Sequence, residues 1–192
     1  MSRLVYVSGK LGAGKTSLAY PLAAALGYSL VIKDVLKETL HDVLYSADYG
    51  EPDRAWSQRL GVAGWELLWT MAAGAGDMVI EANFPSRSAE ARGRLLGLGG
   101  SLVEVHCACP AEIAVARYNA RIRHPVHAWK TVPLSAMDKY DKPVGIGSLV
   151  TVDTTKPVDV AAVAAEVLDA SASQPERDSS SKCIGPLPST FP

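Results

Sequence analysis

The sequence predicts an α/β fold in which a parallel, five-stranded sheet is covered by helices on both faces. Two observations lead to this prediction. Five short apolar runs rich in β-forming residues are each followed by a segment with apolar residues at helical spacing. The runs are continuously apolar rather than alternating, which is typical of strands buried on both faces of a parallel sheet.

The first unit shows this pattern most clearly. Leu4 to Val7 form an apolar run, a glycine-rich loop follows, and Leu18, Leu22 and Leu26 then recur at helical spacing. We expect strands at residues 4–7, 29–32, 77–80, 101–107 and 148–152. We expect the helices that follow them at residues 16–26, 34–44, from about 88, 110–123 and 158–170, with an additional long helix at about 53–73.

Composition and charge limit the classes of partner. The chain has 192 residues, of which 48% are hydrophobic, and a formal net charge of −1. We expect one globular domain at residues 1–170 and a disordered tail at residues 171–192, where Ser and Pro dominate. Because the charge is close to zero, nothing attracts the chain in bulk to nucleic acid or to a membrane, and a small-molecule partner is expected.

The location of the protein is predicted from what the sequence lacks. No apolar run has the length that a membrane helix needs, and the apolar stretch at the N-terminus is too short for a signal peptide. The three cysteines are an odd number without framework spacing, which favours free thiols in a reducing compartment. We therefore expect a cytoplasmic protein.

A phosphate-binding loop is predicted between the first strand and the first helix. Gly9, Gly14, Lys15 and Thr16 match the Walker A pattern G-x-x-x-x-G-K-[ST]. Between a strand and a helix, the backbone N–H groups of such a loop and the helix N-terminus converge on one anion. The residues expected to hold the phosphates of ATP are Gly9, Lys10, Leu11, Gly12, Ala13, Gly14, Lys15, Thr16 and Ser17.

Acidic residues that follow the second and third strands are candidates for metal and acceptor binding. Thr16 is expected to place its hydroxyl on Mg²⁺, and Glu81 ends the third strand, where an acidic residue would orient water on the metal. Asp34 follows the second strand at the edge of the sheet where ligands of open α/β folds bind, so it is expected to orient or deprotonate an acceptor hydroxyl. The alternatives are a helix cap for Asp34 and a solvated strand end for Glu81. Asn83 and Phe84 are further candidates for facing the acceptor.

Two arginines are candidates for stabilising a transferred phosphoryl group. Arg117, Arg121 and His124 are spaced i, i+4 and i+7, so we expect them to share one helix face. No carboxylate lies four residues from either arginine, and an anion would offset their mutual repulsion. Arginine is suited to bidentate phosphate contacts. The alternative is a solvated basic face.

Residues 124–147 contain three prolines and show weak periodicity, so we expect a lid or substrate loop there. His127 in this segment and Arg59 in the long helix are further candidates for contacting the acceptor. Neither D-x-x-G nor N-K-x-D occurs in the sequence, which excludes an ordinary GTPase and leaves a small kinase.

These motifs make the chain resemble P-loop small-molecule kinases of the chloramphenicol phosphotransferase-like, zeta-toxin-like and gluconate-kinase-like type. The resemblance rests on GKLGAGKTS, IKDVLKE, VIEANF and RYNARIRHPVH, and it runs to VTVDTT near residue 155. It implies a P-loop NTPase fold with a lid and an ATP- and Mg²⁺-dependent transfer of the γ-phosphoryl group to a hydroxyl of a small molecule. In that comparison Asp34 matches the acidic residue near the acceptor, and Arg117 and Arg121 match lid or sensor arginines.

Two other functions share the predicted loop. A polynucleotide 5′-hydroxyl kinase needs a basic track for the strand, and the sequence contains no basic run. A nucleotide-dependent interaction module would instead use bound ATP to control a partner through the lid or the tail.

Overall fold

The computed structural model describes residues 2–45 and 53–173. The strands are Arg3–Gly9 (β1), Ser29–Ile32 (β2), Met78–Glu81 (β3), Ser101–Ala108 (β4) and Ser148–Asp153 (β5). The helices are Lys15–Leu26 (α1), Lys33–Leu44 (α2), Arg54–Gly74 (α3), Ala89–Gly97 (α4), Ala111–Asn119 (α5) and Val160–Ala172 (α6), with a 3-10 helix at Leu134–Tyr140. α6 extends into the predicted tail, and the rest of that tail, from residue 174, lies outside the described residues.

All five strands are parallel and lie in the order β2-β3-β1-β4-β5. β1 lies at the centre, and its side chains alternate between two apolar clusters. Val5 and Val7 join the cluster formed with α1, α5 and α6, whereas Leu4 and Tyr6 join the cluster formed with α3 and α4. The predicted parallel sheet with helices on both faces is therefore confirmed.

Helix starts follow from local capping where the sequence provides a side-chain acceptor. Asp53 accepts a hydrogen bond from the Trp56 N–H, and Ser88 accepts one from the Ala91 N–H. These caps explain why α3 and α4 begin close to the predicted positions. Among the described residues, no helix is both long and apolar enough to cross a membrane.

α5 is shorter than the sequence predicts. It ends at Asn119 rather than at residue 123, and the Ala120 N–H then bonds back to the carbonyls of Ala116 and Tyr118. The Asn119 side chain accepts the Val132 N–H at 2.9 Å and donates to the Val132 carbonyl at 3.3 Å. The long-range amide contact thus fastens the end of the helix to the segment at residues 124–147, and the prediction that Arg117, Arg121 and His124 share one helix face is wrong.

A buried carboxylate joins the central strands to the chain that precedes β5. Glu104 on β4 is 1% exposed and accepts hydrogen bonds from the Tyr6 hydroxyl, the Ser8 hydroxyl and the backbone N–H groups of Val144 and Gly145, at 2.5–3.0 Å. Four donors therefore satisfy a charge that would otherwise be costly to bury. The arrangement fixes the C-terminal end of the 124–147 segment to β1, directly before the glycine loop.

We expect Glu104→Gln to lower the free energy of unfolding by about 1–3 kcal/mol. An amide has one accepting oxygen, and its NH₂ group would face donors in place of the second carboxylate oxygen. Urea unfolding followed by circular dichroism measures the change. Glu112→Gln, at an exposed position on α5, is the matched control and should change stability by less than about 0.5 kcal/mol. Equal stability of the two variants would contradict this account of Glu104.

Candidate functional site

The glycine loop between β1 and α1 is held in a conformation that only glycine adopts easily. Gly12 and Gly14 have φ angles of 81° and 84°. A Cβ atom on Gly12 would lie 2.1 Å from the carbonyl oxygen of Ala114, so the loop packs directly against α5. Glycine is therefore required at position 12 both by the backbone conformation of the loop and by the neighbouring helix.

The loop ends where α1 begins, and the helix start has no side-chain cap. Gly14 occupies the N-cap position and offers no acceptor to the first-turn N–H groups of α1. The Lys15 ammonium group lies over the loop and donates to the carbonyls of Gly9 at 3.1 Å and Lys10 at 2.8 Å. An uncapped helix start beside a buried lysine fits the phosphates of a nucleotide.

Thr16 and Glu81 meet at the edge of the sheet. The Thr16 hydroxyl donates to Glu81 Oε2 at 2.9 Å, and Glu81 is 5% exposed at the end of β3. Burial raises the pKa of Glu81, an effect that Lys15 and the Thr16 hydrogen bond oppose. Burial lowers the pKa of Lys15, and the negative charge of Glu81 is the largest influence that opposes this shift. Oxygen ligands of this kind suit Mg²⁺, so the donor set fits that ion.

Two cavities meet at the glycine loop. The larger, of about 600 Å³, is bounded by the loop, the end of α5 and the chain from β5 into α6, and its volume suits a nucleoside. The smaller, of about 40 Å³, is polar and lies over the ends of β1 and β3. The residues that line both are Gly12, Gly14 and Arg121. The smaller cavity is otherwise lined by Leu11, Lys15, Thr16, Asp34, Glu81, Asn83, Tyr118 and Arg123.

Asp34 lines the smaller cavity from the first turn of α2. Ile32 is the N-cap of that helix and no side chain caps it, so the capping alternative for Asp34 is wrong. The Asp34 carboxylate lies 3.2 Å from the Lys33 ammonium and 4.0 Å from the Arg123 guanidinium. Burial alone would raise the pKa of Asp34, but Lys33, His127 and Arg123 outweigh it and hold the pKa below its ordinary value. Asp34 is therefore ionised at neutral pH and suited to accepting a hydrogen bond from a hydroxyl.

Arg117 and Arg121 reach the site from different parts of the backbone. Arg117, in the last turn of α5, lines the larger cavity, and its Nη1 donates to the Thr154 carbonyl at 2.9 Å. Arg121 lies in the turn after α5, where its N–H bonds to the Tyr118 carbonyl at 3.3 Å. Ser17 lines the larger cavity with them. The two arginines thus lie on either side of the point where the cavities meet, although only Arg117 belongs to α5.

Several candidate acceptor contacts lie elsewhere. Phe84 is 1% exposed and packs against Tyr6, Trp65 and Trp69 in the core, because the chain turns inward after Asn83. The prediction that Phe84 faces the acceptor is wrong. Arg59 is exposed on α3 and lines neither cavity, so the structure does not bring it to the site.

His127 lies behind the smaller cavity rather than in its wall. Its Nε2 is 2.7 Å from Glu38 Oε1 on α2, and the ring is mostly buried. Burial lowers the pKa of His127, although the bond to Glu38 opposes that shift. His127 therefore fastens the 124–147 segment to the helix that carries Asp34, and its electrostatic effect reaches Asp34 itself.

His124 belongs to a second contact between this segment and α2. His124 Nε2 is 2.9 Å from Asp42 Oδ1, and His41 lies beside both groups. The Trp56 indole N–H donates to His41 Nδ1 at 3.0 Å, which leaves the proton on His41 Nε2. The Val126 N–H similarly donates to His124 Nδ1 at 3.3 Å. Since each ring has its lone pair engaged, the geometry favours a hydrogen-bonded contact rather than a metal site.

Sequence reasoning missed two cations near Asp34. Arg123 lines the smaller cavity, with its guanidinium 4.4 Å from the centre of the Tyr118 ring. Lys37 is 7% exposed and donates to the Ser57 hydroxyl at 2.8 Å. Burial, with Lys33 and Arg123, lowers the pKa of Lys37 to about 8. Lys37 is one helical turn after Asp34, and this i, i+3 spacing is the signal that could have identified it.

Comparison with known proteins agrees with this geometry. A candidate kinase from Chloroflexus aurantiacus is 29% identical, with a TM-score of 0.75 over 88% of this chain and 97% of that one. A sugar kinase from Janibacter sp. HTCC2649 is 22% identical, with a TM-score of 0.56 over 88% of this chain and 95% of that one. A shikimate kinase from Acinetobacter baumannii in complex with shikimate is 17% identical, with a TM-score of 0.56 over 88% and 92%. No curated protein matches the chain.

The fold and the glycine loop are those of a P-loop nucleotide-binding protein of the kinase type. A protein family described as "AAA domain" matches residues 4–143, and the chain belongs to that family. The resemblance to P-loop small-molecule kinases is thereby confirmed.

We expect Gly12→Ala to weaken nucleotide binding and to destabilise the fold by more than about 1 kcal/mol, because the new Cβ meets backbone on α5 and the φ angle is left-handed. Fluorescent ADP titration and urea unfolding measure the two effects. The matched control is Gly61→Ala on α3, where a Cβ meets no atom of the described residues within 4 Å, and a gain of up to about 1 kcal/mol is expected. Nucleotide affinity that is the same in both variants would show that the contact with α5 does not shape the loop.

Proposed function

We propose that the protein is an ATP- and Mg²⁺-dependent kinase that transfers the γ-phosphoryl group to a hydroxyl of a small molecule. The observation that carries the proposal is the junction of the two cavities at Gly12, Gly14 and Arg121. One cavity has the volume of a nucleoside site, and the other contains an ionised carboxylate, Asp34. A phosphoryl group placed at the junction would face both.

The chain's own residues would act mainly by position and charge. The uncapped start of α1 and Lys15 bind the phosphates, while Arg117 and Arg121 neutralise charge around the transferred group. Asp34 accepts the hydrogen bond of the acceptor hydroxyl and aims its oxygen at the junction. The lowered pKa of Asp34 supports orientation more than strong general-base catalysis, because a weak base removes a hydroxyl proton poorly before the bond to phosphorus forms.

Thr16 and Glu81 are the residues that would hold Mg²⁺. When bound, this ion supplies positive charge that neutralises the phosphate oxygens. The Thr16–Glu81 hydrogen bond keeps both oxygens at one place, and burial of Glu81 beside Lys15 keeps solvent from competing for them. Asn83, two residues after Glu81, completes the polar wall toward the acceptor.

A measurement of nucleotide affinity distinguishes the proposed role of Lys15 from that of Asp34. Lys15→Ala is expected to lower turnover at least about 100-fold and to weaken nucleotide binding. Asp34→Asn is expected to lower kcat about 100-fold while nucleotide affinity stays unchanged. The measurement uses labelled ATP with a panel of hydroxyl-bearing metabolites, nucleosides and antibiotics, followed by mass analysis of the products.

Asp169→Asn on α6 is the control for this pair and should behave as wild type, because Asp169 is exposed and distant in the fold from the loop. Loss of function in Lys15→Ala, with full function in Asp34→Asn, would favour a nucleotide-controlled interaction module over a kinase. Steep salt dependence of acceptor binding would favour a polynucleotide acceptor.

We expect Glu81→Gln to raise the Mg²⁺ concentration needed for half-maximal activity about tenfold or more, because the amide removes negative charge from the metal ligands. Titrating Mg²⁺ at fixed ATP measures the shift. Glu112→Gln on α5 is the control, and its Mg²⁺ dependence should equal that of wild type. An unchanged dependence in Glu81→Gln would remove Glu81 from the metal site.

A further inference from the structure

The arginines after β4 divide between the two cavities. Arg117 lines the larger cavity, Arg121 lines both, and Arg123 lines the smaller one. Under the proposed function, on which this inference rests, ATP occupies the larger cavity and its terminal phosphate lies at the junction. Arg123 is then on the acceptor side, where its guanidinium lies 4.0 Å from the Asp34 carboxylate.

Arg123 is held in place while part of its hydrogen-bonding capacity is unused. Its side chain is 13% exposed and its guanidinium stacks on the face of the Tyr118 ring at 4.4 Å. Stacking engages the face of a guanidinium, whereas the N–H donors point outward in its plane. The buried Nε has no hydrogen-bond partner among the described residues, and the contact with Asp34 is longer than a hydrogen bond.

Positive charge exceeds negative charge around this position. Of the described residues whose charges act on Asp34 or Lys37, the lysines and arginines are Lys15, Lys33, Lys37 and Arg123, and the carboxylates are Asp34, Glu38 and Glu81. Glu38 is already engaged by His127 at 2.7 Å. Lys37 is buried, and within residues 2–45 and 53–173 its one hydrogen-bond partner is the uncharged Ser57 hydroxyl. Like charges gathered in a partly buried space are unfavourable unless an anion joins them.

We infer that the acceptor carries an anionic group, a carboxylate or a phosphate, which binds the in-plane N–H groups of Arg123 beside Asp34. Lys33 and Lys37 supply further positive charge from α2. The acceptor hydroxyl meets Asp34, so the hydroxyl and the anionic group of the acceptor are separated by only a few bonds. Arg123 thereby selects acidic acceptors over neutral ones of similar shape.

A binding experiment tests the site without requiring turnover. The protein is saturated with ADP and Mg²⁺, then titrated with malonate or with glycerol 3-phosphate at constant ionic strength, and binding is measured by calorimetry. Saturable binding of at least one probe is expected, weakened about ten- to hundredfold in Arg123→Gln. Binding of malonate indicates a carboxylate site, and binding of the phosphate ester alone indicates a phosphate site.

Arg94→Gln is the matched control. Arg94 on α4 also pairs with one carboxylate, Glu66 at 2.9 Å, but lines neither cavity. Probe affinity in Arg94→Gln should equal that of wild type. The inference is overturned if neither probe binds saturably, or if Arg123→Gln and Arg94→Gln bind the probes equally well.

Acceptor turnover distinguishes this inference from the kinase proposal. Pairs that differ in the anionic group, such as glycerate with glycerol and gluconate with glucitol, are compared with labelled ATP. Equal phosphorylation of the acidic and neutral members, with the kcat/KM of the acidic members unaffected by Arg123→Gln, supports a kinase and overturns the anionic site. Saturable, Arg123-dependent probe binding with no labelled product from any acceptor supports the anionic site and counts against the kinase.

Lys37 gives a second readout that a purely structural role would not produce. The groups that act on it are Lys33, Asp34 and Glu38 from α2 and Arg123 from the turn after α5, while Ser57 from α3 binds it. Since its pKa is about 8 in the folded chain against an ordinary 10.5, its positive charge is lost as the pH rises through about 8. Probe affinity in wild type should therefore fall above that pH, and this step should be absent in Lys37→Met.

Lys37→Met is expected to raise the free energy of unfolding, whereas loss of a structural contact would lower it. Below the folded pKa of about 8, wild type retains the unfavourable buried charge, and its stability rises with pH between about 8 and 10.5. We therefore expect Lys37→Met to unfold at a higher urea concentration than wild type at pH 7 while binding the probes more weakly. A lower unfolding midpoint, with unchanged probe affinity, would assign Lys37 to packing alone.

Discussion

The packing of the glycine loop against α5 is the constraint on which both cavities depend. At Gly12 there is no room for a side chain, since the Ala114 carbonyl occupies the space where a Cβ would stand. The loop can come this close only because residue 12 is a glycine and because α5 lies on the same face of the sheet as α1. The contact sets where the helix ends relative to the loop, and hence where Arg117, Arg121 and Arg123 enter the site.

Much of this arrangement was predictable because it is local. The apolar runs fixed the strands to within two residues, and the Walker A residues lie where a strand-to-helix turn places them. Asp34 and Glu81 were predictable for the same reason, since the ends of neighbouring parallel strands meet at one edge. These predictions needed only short-range pattern and the geometry of a parallel sheet.

What could not be predicted depends on contacts between distant parts of the chain. α5 stops early because Asn119 bonds to Val132, 13 residues away. Phe84 directly follows the polar Asn83 in sequence, yet packs against aromatic side chains of α3. Lys37 and His41 occupy helix positions that α3 and the 124–147 segment cover, so their burial is a property of the tertiary structure. Periodicity on α2 alone cannot show which polar face a later helix will cover.

The Glu104 network has a consequence for how the 124–147 segment can move. Val144 and Gly145 lie in irregular chain, yet their N–H groups donate to a buried carboxylate on β4, next to the central strand. Releasing them removes two of the four donors from a buried carboxylate, so these amides belong to the same cooperative unfolding unit as β1 and β4. Opening that admits an acceptor must therefore occur before residue 144. The last residues of the segment serve as a fixed anchor for whatever moves ahead of them.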